Sequence, residues 1–258
     1  MNKHLVKALA TASRKSWTGA FYVRDAGTHS RARIYVFEGG VYSIHLADYH
    51  PNVVARLIST GNLDPADYPA HRAEMAAGSV NLDAGRMAVG AGTLSVEELA
   101  DIHEEYLLAS LGAVLARPVL GIEPSRNTVT SHYCTLPTRL DSLVSAVGSR
   151  NTRTTRAAET LGASSAGGAV VLRAVRSTPS ARRLPGLHAF ADSIDGDRTI
   201  DQIAAAMGLT RAEALFTASV LIAAGMVEVF RVQTPVGRAR LLAVPEDFGH
   251  VVVVSGDK

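Results

Sequence analysis

The chain has 258 residues, room for one large domain or two small ones. Its hydrophobic share of 47% is ample for packed cores and excludes lasting disorder as the default state. The formal net charge is only +2, far from the excess of proteins that coat nucleic acid, so the placement of charge matters more than its sum.

The chain opens with HLVKALATAS (4–13), where Leu5, Val6 and Leu9 share one face of a short helix. Gly19–Arg24 and Arg31–Phe37 alternate and are rich in aromatic and β-branched residues, as strands are. Glu38-Gly39-Gly40 turns the chain into Val41–Leu46, and two glycines between such runs predict a hairpin. The expectation is a three-stranded antiparallel meander.

From residue 50 the period changes to helical. Val53, Val54, Leu57 and Ile58 form an apolar stripe ended by Gly61-Asn62. A further helix is expected from Asp64, with Pro65 at its first position, and then a loop from Gly78 to Gly92. Ser95 caps a long helix to about Ala116, with Glu97 and Glu98 complementing its dipole. Residues 119–134 read as extended chain. Leu136–Val147 reads as helix, continuing toward Leu161, and GASSAGG (162–168) has the composition of a linker.

The last third reads as a strand (169–175), a short helix (185–193), an Asp-Gly-Asp turn and two helices from Thr199 and Thr210 around Gly208-Leu209. Helix, short glycine-containing turn, helix is the helix-turn-helix arrangement. A strand at 226–232 and a hairpin through Thr234–Gly237 into Arg238–Val244 stand where a wing belongs, and Val251–Val254 reads as a last strand. The fold class expected is α+β: an antiparallel meander with packed helices over 1–162, then a winged helix-turn-helix-like domain over 169–258.

HLVKALATASRKSWTGAFYVRD, the hairpin RARIYVFEGGVYSIHL and the helix AGTLSVEELADIHEEYLLASLGAVL together resemble the bacterial PATAN domain family. Gly92-Thr-Leu-Ser-Val-Glu-Glu-Leu99 is similar to that family's helix-opening element, and Leu136–Leu143 to its next helix start. Asp195–Ala204 through Gly225–Glu228 is similar to a winged-helix unit that often follows it. The resemblance implies a regulatory role through protein contacts and supplies no catalytic residues.

The residues themselves offer little chemistry. The single cysteine, Cys134, excludes an intramolecular disulfide and a cysteine-based zinc site. It lies two residues from His132 and reads as core rather than nucleophile. His45, Asp48 and His50 are the closest approach to a metal set, and read more simply as a polar loop. His103-Glu-Glu lacks the second histidine of a metallopeptidase helix. Neither catalytic residue, metal nor cofactor is expected. The polar start of the chain lacks the apolar core of a signal peptide, and no apolar run is long enough to span a bilayer, so a cytoplasmic protein is expected.

Charge placement carries more. Eight arginines between Arg139 and Arg183 face only Asp141 and Glu159. Arginine contacts to phosphate supply most non-specific DNA affinity, so Arg150, Arg153, Arg156, Arg211 and, on the wing, Arg238 and Arg240 are the candidate DNA-contacting residues. Against this, the second helix is alanine-rich, with Asp195, Asp197 and Asp201 nearby, as in winged units that bind protein. Two expectations therefore stand: a regulator touching DNA through these arginines, and an adaptor using protein contacts alone. A homodimer through an edge strand at 19–24 or 251–254 is a further option.

Overall fold

The computed structural model describes residues 2–25, 31–47, 52–68, 84–117, 119–131, 133–162, 169–175, 185–233, 241–242 and 252–253. In chain order the first elements are α1 (Lys3–Arg14), β1 (Gly19–Asp25), β2 (Arg31–Phe37), β3 (Gly40–Leu46) and α2 (Val53–Ser59). Then come α3 (Ala84–Gly90), α4 (Val96–Ala116), β4 (Val119–Arg126), α5 (Leu140–Thr160) and β5 (Ala169–Ala174). The last are α6 (Pro185–Asp192), α7 (Ile200–Ala206), α8 (Arg211–Ala223), β6 (Val227–Gln233), β7 (Leu241–Leu242) and β8 (Val252–Val253). The protein is α+β and divides into two units: Met1–Pro51 with Ala70–Ser149, and Asn52–Pro69 with Arg150–Lys258. The sequence division at 162 would keep 52–69 with the sheet, whereas this segment groups with the second unit.

In the first unit an antiparallel sheet runs in the order β3-β2-β1-β4. The meander β1-β2-β3 follows from alternation, since Ala32, Ile34 and Val36 of β2 are buried on one face. A fourth strand, β4, pairs along the other side of β1, from Gly19 opposite Arg126 to Asp25 opposite Val119. Strand 19–24 therefore lies inside the sheet and cannot serve as a dimerising edge. The helical side carries the main core: Leu5 and Leu9 of α1, Leu107, Leu111 and Val114 of α4, and Leu140 and Leu143 of α5. On the opposite face Ala20, Tyr35 and Tyr42 form a smaller cluster with Cys134 against it.

The β2–β3 hairpin turns on Glu38 and Gly39, both at positive φ (48° and 83°), as a two-residue loop matched to strand twist requires. Gly40 belongs to β3 and is small for another reason: a Cβ there would lie 2.8 Å from the Pro137 side chain. Downstream, Ser95 caps α4 as expected, and Glu98 completes a capping box with it. At Asp64 the carboxylate accepts from the Ala66 N–H at 2.8 Å and Tyr68 is helical, while the rest of the helix expected from Asp64 lies outside the described residues. One expectation fails. The stretch taken as loop contains α3, which buries only the small residues Ala84, Gly85 and Ala88.

In the second unit β5 and β6 pair antiparallel, while α6, α7 and α8 bury Phe190, Ile200, Ile203, Leu215 and Leu221 against Val170 and Leu172. β7 pairs with β8. Arg238, Arg240 and the Thr234–Gly237 turn lie outside the described residues, as does the linker core 163–168. Among the described residues no single helix is long and apolar enough to cross a membrane.

Gly39 is a direct test of the hairpin. A Cβ there would lie 2.7 Å from the Ser13 carbonyl oxygen, on top of the positive φ. Gly39→Ala is expected to lower stability by about 2 kcal/mol in urea unfolding. Gly148→Ala, with open space around it in α5, should leave stability unchanged or raise it by up to about 1 kcal/mol. Equal effects of the two would refute the close approach at Ser13.

Candidate functional site

The helix pair α7–α8 is specified by local chemistry. Thr199 accepts from the Gln202 N–H while the Gln202 side chain accepts from the Thr199 N–H, a reciprocal cap. Thr210 and Glu213 repeat the arrangement at the start of α8. Between them Met207, Gly208 and Leu209 reverse the chain, with Gly208 at φ 66°, and the two helix axes turn through 118°. Ahead of α7 the Asp195 carboxylate accepts from the N–H groups of Asp197 (2.9 Å) and Arg198 (2.8 Å) and from Arg198 Nε (2.6 Å). The Arg198 and Asp197 backbone donors, then the Arg198 side chain, hold its pKa well below the usual carboxylate range.

α2 closes on this turn. A Cβ at Gly208 would lie 2.3 Å from the Asn52 carbonyl oxygen and 2.6 Å from the Arg56 nitrogen. Ser59 Oγ donates to the Met207 carbonyl at 3.0 Å. Arg56 Nη2 reaches Glu213 Oε1 at 2.8 Å, with both side chains largely buried, while Glu213 Oε2 accepts from the Thr210 N–H at 2.8 Å. One carboxylate thus caps α8 and fixes α2. The Nε and Nη1 of Arg56 are buried with no hydrogen-bond partner among the described residues, so the Glu213 contact is the main compensation for its charge. The sequence reading did not single out Arg56, Ser59 or Glu213 as a set. Its only signal was the glycine at 208.

The candidate arginines fall into three groups. Arg150, Arg153 and Arg156 lie on α5, with Arg153 and Arg156 exposed and Arg150 half-buried. Arg211, at the first turn of α8, is held by Asp201 at 3.2 Å, each side chain about half exposed. Arg238 and Arg240 lie outside the described residues. α8 presents Arg211, Phe216 and Ala223 outward and buries Ala214, Leu215, Ala218 and Leu221. Phe216 is 55% exposed, and Val229 and Phe230 of β6 are also exposed, Phe230 beneath the Arg173 guanidinium at 4.9 Å from its ring centroid.

The weaker motifs resolve simply. His45 packs edge-on against Tyr35 at 5.1 Å, and Asp48, His50 and His132 lie outside the described residues. Among the described residues no three His, Cys, Asp or Glu side chains group as a metal set. Cys134 Sγ donates to the Thr130 carbonyl at 3.4 Å, and the Cys134 carbonyl lies 3.1 Å from His103 Nδ1. No protein-family model matches the chain, and neither a curated protein nor a solved structure does.

Two predictions follow from this geometry. Glu213→Ala strips the cap and leaves Arg56 without its carboxylate, and should cost about 3 kcal/mol; Glu213→Gln keeps an acceptor for Thr210 and should cost less than half as much. Equal losses in urea unfolding would show that the Arg56 ion pair contributes nothing. Because folding depresses the Asp195 pKa, its stabilisation is present above the unfolded-state value near 3.8 and is lost as pH falls through the lower folded-state value. Thermal melts of wild type and Asp195→Asn should therefore converge in acid and separate near neutral pH, with wild type the more stable. A constant gap at every pH would remove Asp195 as the cause.

Proposed function

We propose that this chain is a non-enzymatic bacterial regulatory protein that works through protein–protein contacts, with its second unit a winged-helix-type module. The observation that carries the reading is the outward surface of α8. The element that would read bases in a DNA-binding module offers one arginine, already paired with Asp201, and an exposed phenylalanine. Exposed aromatic side chains beside such a helix favour a protein partner, where aromatic anchors dominate binding energy.

The module assignment is supported by three features: reciprocal caps on both helices, a glycine turn of the helix-turn-helix type with its near-perpendicular helix axes, and flanking antiparallel strands. The resemblance to the PATAN family, carried in the first unit by segments between residues 4 and 143, supports a regulatory role for that unit. DNA contact stays as the second reading, favoured by the exposed Arg153 and Arg156 on α5. An interior, cytoplasmic setting belongs to the same proposal.

A photo-crosslinking residue placed at position 216 should give a discrete adduct with another polypeptide in cells, and the same residue at position 96, also exposed, should not. Alongside, anisotropy of a labelled duplex should show only weak, salt-sensitive binding, on the order of micromolar or weaker. Sub-micromolar DNA binding that Arg153→Ala/Arg156→Ala abolishes, with no adduct at 216, would overturn the protein-contact reading in favour of the DNA one.

A further inference from the structure

A groove of about 590 Å³ lies in the first unit, between α1 and the β1–β4 side of the sheet. Its helical wall is a single stripe of α1 and its C-cap: His4, Lys7, Ala8, Thr11, Ala12 and Lys15 recur at three- and four-residue steps. Trp17 and Phe21, with ring centroids 4.7 Å apart, and Pro124 supply apolar surface, and Arg126 stands on the strand side. Gly19 makes room for the indole, because a Cβ there would lie 2.7 Å from the Trp17 ring.

The groove has an amphipathic cross-section of one sign. Ala8, Thr11, Ala12 and Phe21 are partly or fully buried, whereas Lys7, Lys15 and Arg126 are exposed. Among the described residues no carboxylate lines the groove, and α1 contains no acidic residue. Lys7, Lys15 and Arg126 have no ion-pair partner among the described residues. A cationic rim on an apolar floor is complementary to an anionic ligand with an apolar centre.

The spacing selects among such ligands. Lys7 and Lys15 are eight residues apart on a helical course, about 12 Å along the axis. In an extended chain, residues i and i+4 point the same way and lie about 13 Å apart, with i+2 between them on the same face. The whole stripe, from residue 4 to 15, runs about 16 Å, the length of roughly five extended residues. We propose that this groove binds an extended acidic peptide segment of the pattern acidic-x-apolar-x-acidic. The two carboxylates meet Lys7 and Lys15, and the central apolar side chain rests on Trp17 and Phe21. This surface lies in the first unit and is independent of the reading given to α8.

The test uses the full chain and a fluorescein-labelled, end-blocked Glu-Ser-Leu-Ser-Glu peptide. Anisotropy measures binding, and the emission of Trp17, the one tryptophan in the sequence, measured with unlabelled peptide, reports where it occurs. Saturable binding with a change in Trp17 emission is expected. Lys7→Glu/Lys15→Glu should weaken it at least roughly tenfold, with the circular dichroism of the variant unchanged. Trp17→Phe, which keeps an aromatic floor, should retain most of the affinity. Glu-Ser-Ser-Ser-Glu and Lys-Ser-Leu-Ser-Lys should each bind at least roughly tenfold more weakly than the parent peptide. The proposal is overturned by absence of saturable binding, by equal binding to the charge-reversed variant, or by equal binding of the peptide lacking leucine. Saturation by decanoate but not by the peptide would overturn it in favour of a small anionic amphiphile.

Discussion

The second unit depends on one close approach: the backbone of Gly208 against the carbonyl of Asn52 and the nitrogen of Arg56, with no space for a side chain between them. Only a residue without a Cβ both adopts φ 66° there without penalty and lets the two chains meet. From that contact the rest follows in order. Ser59 reaches the Met207 carbonyl, Arg56 comes within reach of Glu213, and Glu213 is held where it also caps α8. Segment 52–69 is tied in this way to helices that lie more than 130 positions later in the chain, and it is part of the second unit for that reason.

The parts of the fold that rest on neighbouring residues were legible in the sequence. Ser95 with Glu98, Thr199, Thr210 and the Asp-Gly-Asp turn all act over two or three positions, so the residue types announce the geometry. The meander was legible from period-two alternation. What was not legible depends on distant partners. β4 was legible as extended chain, but with Gly121, Pro124 and an exposed Leu120 its pattern does not place it in the sheet, which depends on its pairing with β1. α3 has glycine at positions 85 and 90 and buries only small residues, so nothing in its composition distinguishes it from a loop.

The same division explains the sites. The arginine excess around 139–183 was visible because it is a count, and α5 does place Arg150, Arg153 and Arg156 on one helix. That Arg211 is spoken for by Asp201 was not visible, since the pair spans the turn between α7 and α8. The groove beside α1 was hidden for a stronger reason. Its floor joins Trp17 and Phe21 to Pro124 and Arg126 only through the register of β1 against β4. Lys7 and Lys15 read as ordinary solvated lysines until the strand that faces them is in place.

The energetics of α8 bear on what kind of surface it is. An exposed ion pair such as Arg211–Asp201 contributes little, roughly 0.2–1 kcal/mol, so Arg211 could be redirected to a phosphate at small cost. The obstacle to a phosphate would be what remains: Asp201, freed of its partner, beside the incoming negative charge. A protein partner meets no such penalty. It can leave the pair intact and gain from covering the exposed half of Phe216, on the order of 1 kcal/mol. On this face the proposed contact with apolar partner surface therefore carries the smaller penalty, whatever the arginines of α5 contribute on their own.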